Sequence, residues 1–227
     1  MRVRRISLPL SNAFLVSDRS DILVDAGCQG DHTSLIQQIK LSGVSAERLA
    51  AVVLTHVHFD HCGCAAAFQS LGVPIVAAQA SVRNLASGTA EGGPWTKYAP
   101  RRLMSSSLGR KLQMGFPPVQ VDCPVNDECS LEEFGVDGRI VLTPGHTEAS
   151  LSVVLADGSA CVGDLLMGGF FGLPPAWKPA QHPWSAEPSL CLAQARTLRA
   201  MGCVRFYVGH GDTLEGHFID DFLNQKI

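Results

Sequence analysis

Short apolar runs in this chain repeatedly stop at a residue able to hold a metal ion, and this repetition constrains the fold more than any other feature. Val52-Val53-Leu54 leads into Thr55-His56-Val57-His58-Phe59-Asp60-His61. Val141-Leu142 leads through Thr143-Pro144-Gly145 to His146, Cys161-Val162-Gly163 to Asp164, and Tyr207-Val208-Gly209 to His210. Ile22-Leu23-Val24 ends on Asp25, just before Ala26-Gly27. Runs of this kind, rich in Val, Ile and Leu, read as buried strands. A glycine before the polar residue permits a tight turn and the close approach that a metal site requires. Polar groups on strand-end loops above a rigid sheet are a common way to build a site.

The rest of the chain supplies more strands and the helices between them. Strands are predicted over Arg5–Leu8, Ala13–Val16, Ile22–Val24, Val52–Leu54, Ile75–Ala77, Arg139–Leu142, Leu151–Leu155, Ala160–Val162 and Arg205–Val208. Helical periodicity marks His32–Leu41, where Leu35, Ile36 and Ile39 share a face behind Asp31 as an N-cap candidate. Ala65–Leu71, Leu190–Met201 and His217–Asn224 are similar, and Pro188-Ser189 forms a suitable helix start before Leu190. This order predicts a mixed α/β protein with sheets covered by helices. Residues 81–118 hold Gly, Ser, Pro and Trp in irregular order and are expected to form a helical or irregular lid-like insertion.

The chemistry lies in the donor types. Neutral imidazole and carboxylate suit Zn²⁺ and Fe²⁺. His56 and His58 are two apart and share a side in an extended segment, while a turn through Phe59 aims Asp60 and His61 at a second position. One cluster can thus serve two metals. Cys62 and Cys64 follow directly and are read as small residues packed at a helix start.

With Asp25, the His56–His61 cluster, His146, Asp164 and His210 in this order, the chain resembles the metallo-β-lactamase-fold hydrolase superfamily over residues 25–210. The resemblance implies an αββα four-layer sandwich, two mixed β-sheets flanked by helices with metals at one edge, as a single domain over residues 1–227. It implies that His56, His58 and His146 hold one metal, that Asp60, His61 and His210 hold the other, and that Asp164 bridges them. Asp25 would orient the ligands from behind. The implied cofactor is two Zn²⁺, with iron or manganese as alternatives in one or both positions. Two close cations lower the pKa of a shared water, and the hydroxide so formed attacks a carbonyl carbon. Asp60 would orient that nucleophile, so Asp60 and Asp25 are the catalytic candidates.

Thr143-Pro144-Gly145-His146-Thr147 and Gly163-Asp164-Leu165-Leu166 are most similar to the glyoxalase II-like branch, which implies hydrolysis of a thioester or ester-like substrate. A lactonase or β-lactam hydrolase on the same site is an alternative, as is a mononuclear iron persulfide dioxygenase using His56, His146 and Asp164, with His58 as an alternative ligand. Only 17 residues follow His210, with Lys226 their sole Lys or Arg, so a basic glutathione-binding C-terminal region is not expected.

Composition narrows the partners. Lys and Arg number 18 against 21 Asp and Glu, a net charge of -3, which argues against bulk electrostatic capture of nucleic acid. No apolar run approaches the roughly 20 residues of a membrane span. Ser7, Pro9, Ser11 and Asn12 interrupt any signal-peptide core behind Arg2, Arg4 and Arg5, so a cytoplasmic location is expected, with the eight cysteines as free thiols. Residues 92–121 contain Lys97, Arg101, Arg102, Arg110 and Lys111 and no acid, a bias that would attract a small anionic substrate. Phe170 and Phe171, soon after Asp164, are the candidate walls of an acyl pocket. His182, in Gln181-His182-Pro183-Trp184, is the candidate substrate contact from a loop bordering the cleft.

Overall fold

The computed structural model describes residues 1–91, 115–170 and 172–226. Its strands alternate in which residue faces which layer, and this alternation places the core. In β1 (Arg2–Ser7), β2 (Asn12–Ser17), β3 (Asp21–Val24), β4 (Ala51–Val53) and β5 (Ile75–Ala78), one set of side chains faces helices. Ile6, Leu15, Leu23, Val52 and Ile75 of that set pack with Leu35 and Ile39 of α1 (His32–Leu41). Phe68 of α3 (Ala65–Ser70) and Leu85 of α4 (Val82–Ser87) join the same cluster. The opposite set, Phe14, Val16, Ile22, Val24, Val53 and Val76, packs against a second sheet.

That second sheet is built from β7 (Glu128–Ser130), β8 (Gly138–Leu142), β9 (Leu151–Leu155), β10 (Ser159–Gly163), β13 (Arg205–Val208) and β14 (Leu214–Glu215). Ile140, Leu151, Val153, Leu155 and Cys161 face the first sheet. Val154, Ala160, Val162, Phe206 and Val208 face the other way, onto α5 (Pro188–Ala200) and α6 (Gly216–Asn224). The order is therefore helices, sheet, sheet, helices: the expected αββα sandwich of two mixed sheets. Strands apolar at every position are needed because both faces of each sheet are covered.

The first sheet runs β1-β2-β3-β4-β5-β6, with β6 at Cys123–Val125; the second runs β14-β13-β10-β9-β8-β7. Strands β3, β4, β5 and β6 are parallel, as are β10 and β13; β8 and β10 are both antiparallel to β9 and so point the same way. Strands β3, β4, β8, β10 and β13 all deliver their C-terminal ends to one rim, the favoured place for a site in such sheets. A small hairpin, β11 (Met167–Gly168) with β12 (Pro179–Ala180), stands beside it.

Helix α1 has the predicted bounds, and Pro188 opens α5. Asp31 does not cap α1: its side chain makes no cap hydrogen bond and instead accepts from the Cys28 N–H at 2.9 Å, bracing the preceding turn. Sequence reasoning missed β6, β7 and β14, which are sheet edges of two or three residues. Edges are commonly short and polar, which erases the apolar signal, and Pro124 sits in β6. Of the expected insertion, 82–87 is helical and 115–118 has no regular structure, while its five cations lie outside the described residues. All eight cysteines are free, and no described helix is long and apolar enough to cross a membrane.

Candidate metal centre

The rim assembles side chains from both halves of the chain. Thr55, His56 and His58 follow β4, Asp60 and His61 lie in the short helix α2 (Phe59–Cys62), and Asp25 follows β3. From the second sheet, His146 follows β8, Asp164 follows β10 and His210 follows β13. Backbone hydrogen bonds close the seam beside them: Leu151 N–H to Thr55 O at 2.7 Å and Asn12 N–H to Gly209 O at 2.7 Å.

Asp164 stands at the middle. One of its oxygens, Oδ2, lies 3.8 Å from His56 Nε2, 3.5 Å from His146 Nε2 and 3.3 Å from His210 Nε2; Oδ1 lies 3.5 Å from His61 Nε2. His58 Nδ1 is 3.0 Å from His146 Nε2. Asp60 Oδ2 lies 3.8 Å from His61 Nε2 and 3.6 Å from His210 Nε2. Three groups emerge among the described residues, each able to bring its donor atoms within 4.8 Å of one another: His56, His58, His146 and Asp164; Asp60, His61 and His210; and Asp164, His182 and His210. The first two hold the donors expected to converge.

The glycines before the donors explain how they fit. A Cβ on Gly209 would lie 2.3 Å from Asp164 Oδ1 and 2.5 Å from His61 Cε1, inside the site itself. Gly163 has φ +51°, and a Cβ there would meet Thr55 Oγ1 at 2.5 Å.

Asp25 lies behind the cluster. It accepts from the Thr55 N–H at 2.8 Å and from Thr55 Oγ1, and its Oδ2 lies 2.8 Å from His61 Nδ1. It is also the one described non-glycine residue at positive φ, 62°, a conformation that Asp tolerates better than most. His210 Nδ1 is 2.9 Å from Leu10 O, and His56 Nδ1 is 3.1 Å from Thr55 Oγ1. Sequence reasoning missed Thr55 and Leu10; the first sat unread between strand and ligand, and a backbone carbonyl leaves no residue signature.

Electrostatics divide the cluster. Burial drives His56 and His146 well below the usual imidazole range and His58 to about 4, leaving neutral rings, the form that binds metals. Burial also opposes charge on His61, but Asp164, Asp60 and Asp25 outweigh it and lift the ring to about 10. Asp164 is held well below the usual carboxylate range: burial disfavours its charge, and His210, His61 and His182 more than compensate. Burial first, then Asp25, pushes the Cys62 thiol well up, and burial lifts Cys64 to about 11. Both are therefore thiols, donating to His58 O and Cys28 O, and not thiolate ligands.

The residues fit divalent cations on two observations. His56 Nε2, His58 Nε2, His61 Nε2 and Asp164 Oδ1 are buried without a hydrogen-bond partner, a costly state for polar atoms. The donor set itself, imidazole nitrogens gathered around the Asp164 and Asp60 carboxylates, is also the one that divalent cations such as zinc favour.

The substrate candidates land differently. His182 is buried at 3% exposure within the cluster, its Nε2 3.5 Å from Asp164 Oδ2. Phe170 is 59% exposed and forms an isolated backbone bridge with Leu173. Phe171 lies outside the described residues.

The sequence profile of the metallo-β-lactamase superfamily matches residues 8–210. The chain belongs to this superfamily. It is 25% identical over 204 residues to the probable metallo-hydrolase MJ0888 of Methanocaldococcus jannaschii, covering 89% of this chain and 88% of that protein. It is 26% identical over 161 residues to the probable metallo-hydrolase YqgX of Bacillus subtilis, covering 70% and 67%. Among solved structures, the metallo-β-lactamase family protein TTHA1429 of Thermus thermophilus superposes with a TM-score of 0.73 at 20% identity, covering 99% of this chain and 78% of that one. TTHA1623, solved in a di-iron-bound form, superposes with a TM-score of 0.64 at 23% identity, covering 96% of each. At such identities the likeness is one of fold.

Proposed function

We propose that this superfamily member is a metal-dependent hydrolase with a two-cation centre, acting on a thioester or ester-like carbonyl. The observation that supports this reading is the position of Asp164, whose Oδ2 lies 3.5 Å from His146 and 3.3 Å from His210 while its Oδ1 lies 3.5 Å from His61, so that it faces histidines of the first two donor groups. By this reading His56, His58 and His146 hold one cation and Asp60, His61 and His210 the other, and Asp164 touches both. Bound there, divalent cations would supply a water of lowered pKa and polarise a carbonyl oxygen. Zinc suits this donor set best, and iron is supported by the di-iron-bound form of TTHA1623.

The chain's own residues supply the rest. Asp60 is the least buried of the carboxylates at the centre, its side chain 13% exposed, so it orients the incoming water and takes its proton at Oδ2. Asp25 fixes the His61 ring through Nδ1. No Ser or Cys nucleophile is required, and Cys62 and Cys64 are poorly suited to that role as protonated thiols. Curated relatives named probable metallo-hydrolases support the reaction class, and the Thr143–Thr147 and Gly163–Leu166 strings support a thioester. The cations between Lys97 and Lys111 support an anionic small molecule.

The test is a metal-quantified activity panel over S-lactoylglutathione, other acyl thioesters, lactones, nitrocefin and a phosphodiester. The protein should carry about two metals per chain and turn over thioesters fastest. Chelation should abolish turnover, and zinc or manganese should restore it. Turnover retained in metal-free protein would end the proposal.

A further inference from the structure

An imidazole declares its tautomer by what it meets at the nitrogen turned away from the site. His61 Nδ1 meets the Asp25 carboxylate and His210 Nδ1 meets the Leu10 carbonyl. Both partners accept, so each Nδ1 carries a hydrogen and each Nε2 is the nitrogen turned to the site, where a cation would take the place of a proton. That is the arrangement of a metal ligand.

His182 is wired the other way. The Trp184 backbone N–H donates to His182 Nδ1 at 3.3 Å. A nitrogen that accepts has no hydrogen of its own, so the hydrogen of this ring sits on Nε2. Nε2 is the atom 3.5 Å from Asp164 Oδ2, and the ring lies edge-on to His146 with centroids 4.6 Å apart. Distance alone places His182 with Asp164 and His210 as a third candidate metal group. The tautomer removes it from that role, because an N–H cannot coordinate a cation.

The loop holding His182 is fixed to the site. Ser185 N–H donates to His182 O at 3.2 Å, Ala186 N–H to His146 O at 3.0 Å and Glu187 N–H to Gly145 O at 2.8 Å. The ring is 3% exposed, so its N–H is held in place before any substrate arrives.

We propose that His182 is a hydrogen-bond donor of the centre and not a further ligand: its Nε2–H steadies Asp164 at rest and serves the substrate oxygen on which negative charge gathers. The second half of this statement rests on the hydrolase reading above. Removing one such preorganised donor typically costs on the order of a hundredfold in kcat.

The experiment compares the zinc-loaded protein with His182→Gln and His182→Ala. Long-range ¹H–¹⁵N correlation spectra, with the His182 signals assigned by their loss in His182→Gln, should show Nε2 protonated and Nδ1 bare. Zinc content should equal the parent's in both variants. His182→Ala should lower kcat about a hundredfold with KM little changed, and His182→Gln, which keeps an N–H, should recover to within about tenfold of the parent. A bare Nε2, or zinc lost from both variants, would overturn the assignment in favour of a ligand. A parent-like kcat in His182→Ala would overturn the substrate role while leaving the hydrolase reading intact. If no acyl substrate is turned over even by the parent, the hydrolase reading and the substrate role fall together, and the spectra still decide donor against ligand.

Discussion

The two donor groups flanking Asp164 use the same side-chain types and are held in opposite ways. His61 and His210 are anchored from behind by acceptors alone, the Asp25 carboxylate at 2.8 Å and the Leu10 carbonyl at 2.9 Å. His56 and His146 lean on hydroxyls: Thr55 at 3.1 Å, whose own hydrogen goes to Asp25, and Ser185 at 3.4 Å, which can donate or accept. Charge follows the same division: burial leaves His56 and His146 neutral, while carboxylates overcome burial to raise His61. The lesson is that identical ligands need not make identical sites. One group is pre-aimed by its supports, and the other is held mainly by packing and weaker hydroxyl contacts.

Replacing the shared residue should erase the distinction. Asp164→Ala is expected to lower activity by on the order of a thousandfold and to deplete metal at both positions, as metal analysis and steady-state rates would report. Loss of only one metal would show that the carboxylate belongs to a single group. Asp25→Ala should act mainly on one side, weakening the cation beside His61, which it meets directly, by roughly 10- to 100-fold and the other, reached only through Thr55, far less. Competitive titration with a chelating dye would measure this as one shifted step out of two; a uniform shift would dissolve the contrast. Ser185→Ala should be the mildest, about threefold or less in metal affinity, because a 3.4 Å hydroxyl contact contributes little orientation. A loss as large as that of Asp25→Ala would mean that hydroxyls aim these rings as firmly as carboxylates.

Much of this centre was legible beforehand because each ligand follows an apolar strand and a turn. Val208-Gly209-His210 states a buried strand, a position that tolerates no side chain and a donor, and the clash predicted for a Cβ at Gly209 shows why the glycine is there. The αββα layers were implied by the superfamily resemblance and fit strands apolar on both faces. The depth of His182 was not legible because its surroundings, Gln181 and Pro183, carry no strand and no glycine; the β11–β12 hairpin and the tie to His146 bring it inward, and both are tertiary. Asp31 misled for the opposite reason. It has the residue type of a helix cap, but the turn at Cys28 claims its carboxylate first. The edge strands were silent because edges are selected to be unattractive to other strands.

The seam between the sheets has a consequence for how such a protein can change over time. Asp25, His56, His58, Asp60 and His61 are inherited from one half of the chain, and His146, Asp164, His182 and His210 from the other. Neither half owns a working centre, so a mutation that slides one sheet against its neighbour is penalised as heavily as the loss of a ligand. Drift in substrate preference is therefore expected in the loops around the rim, while the register between the two halves stays frozen.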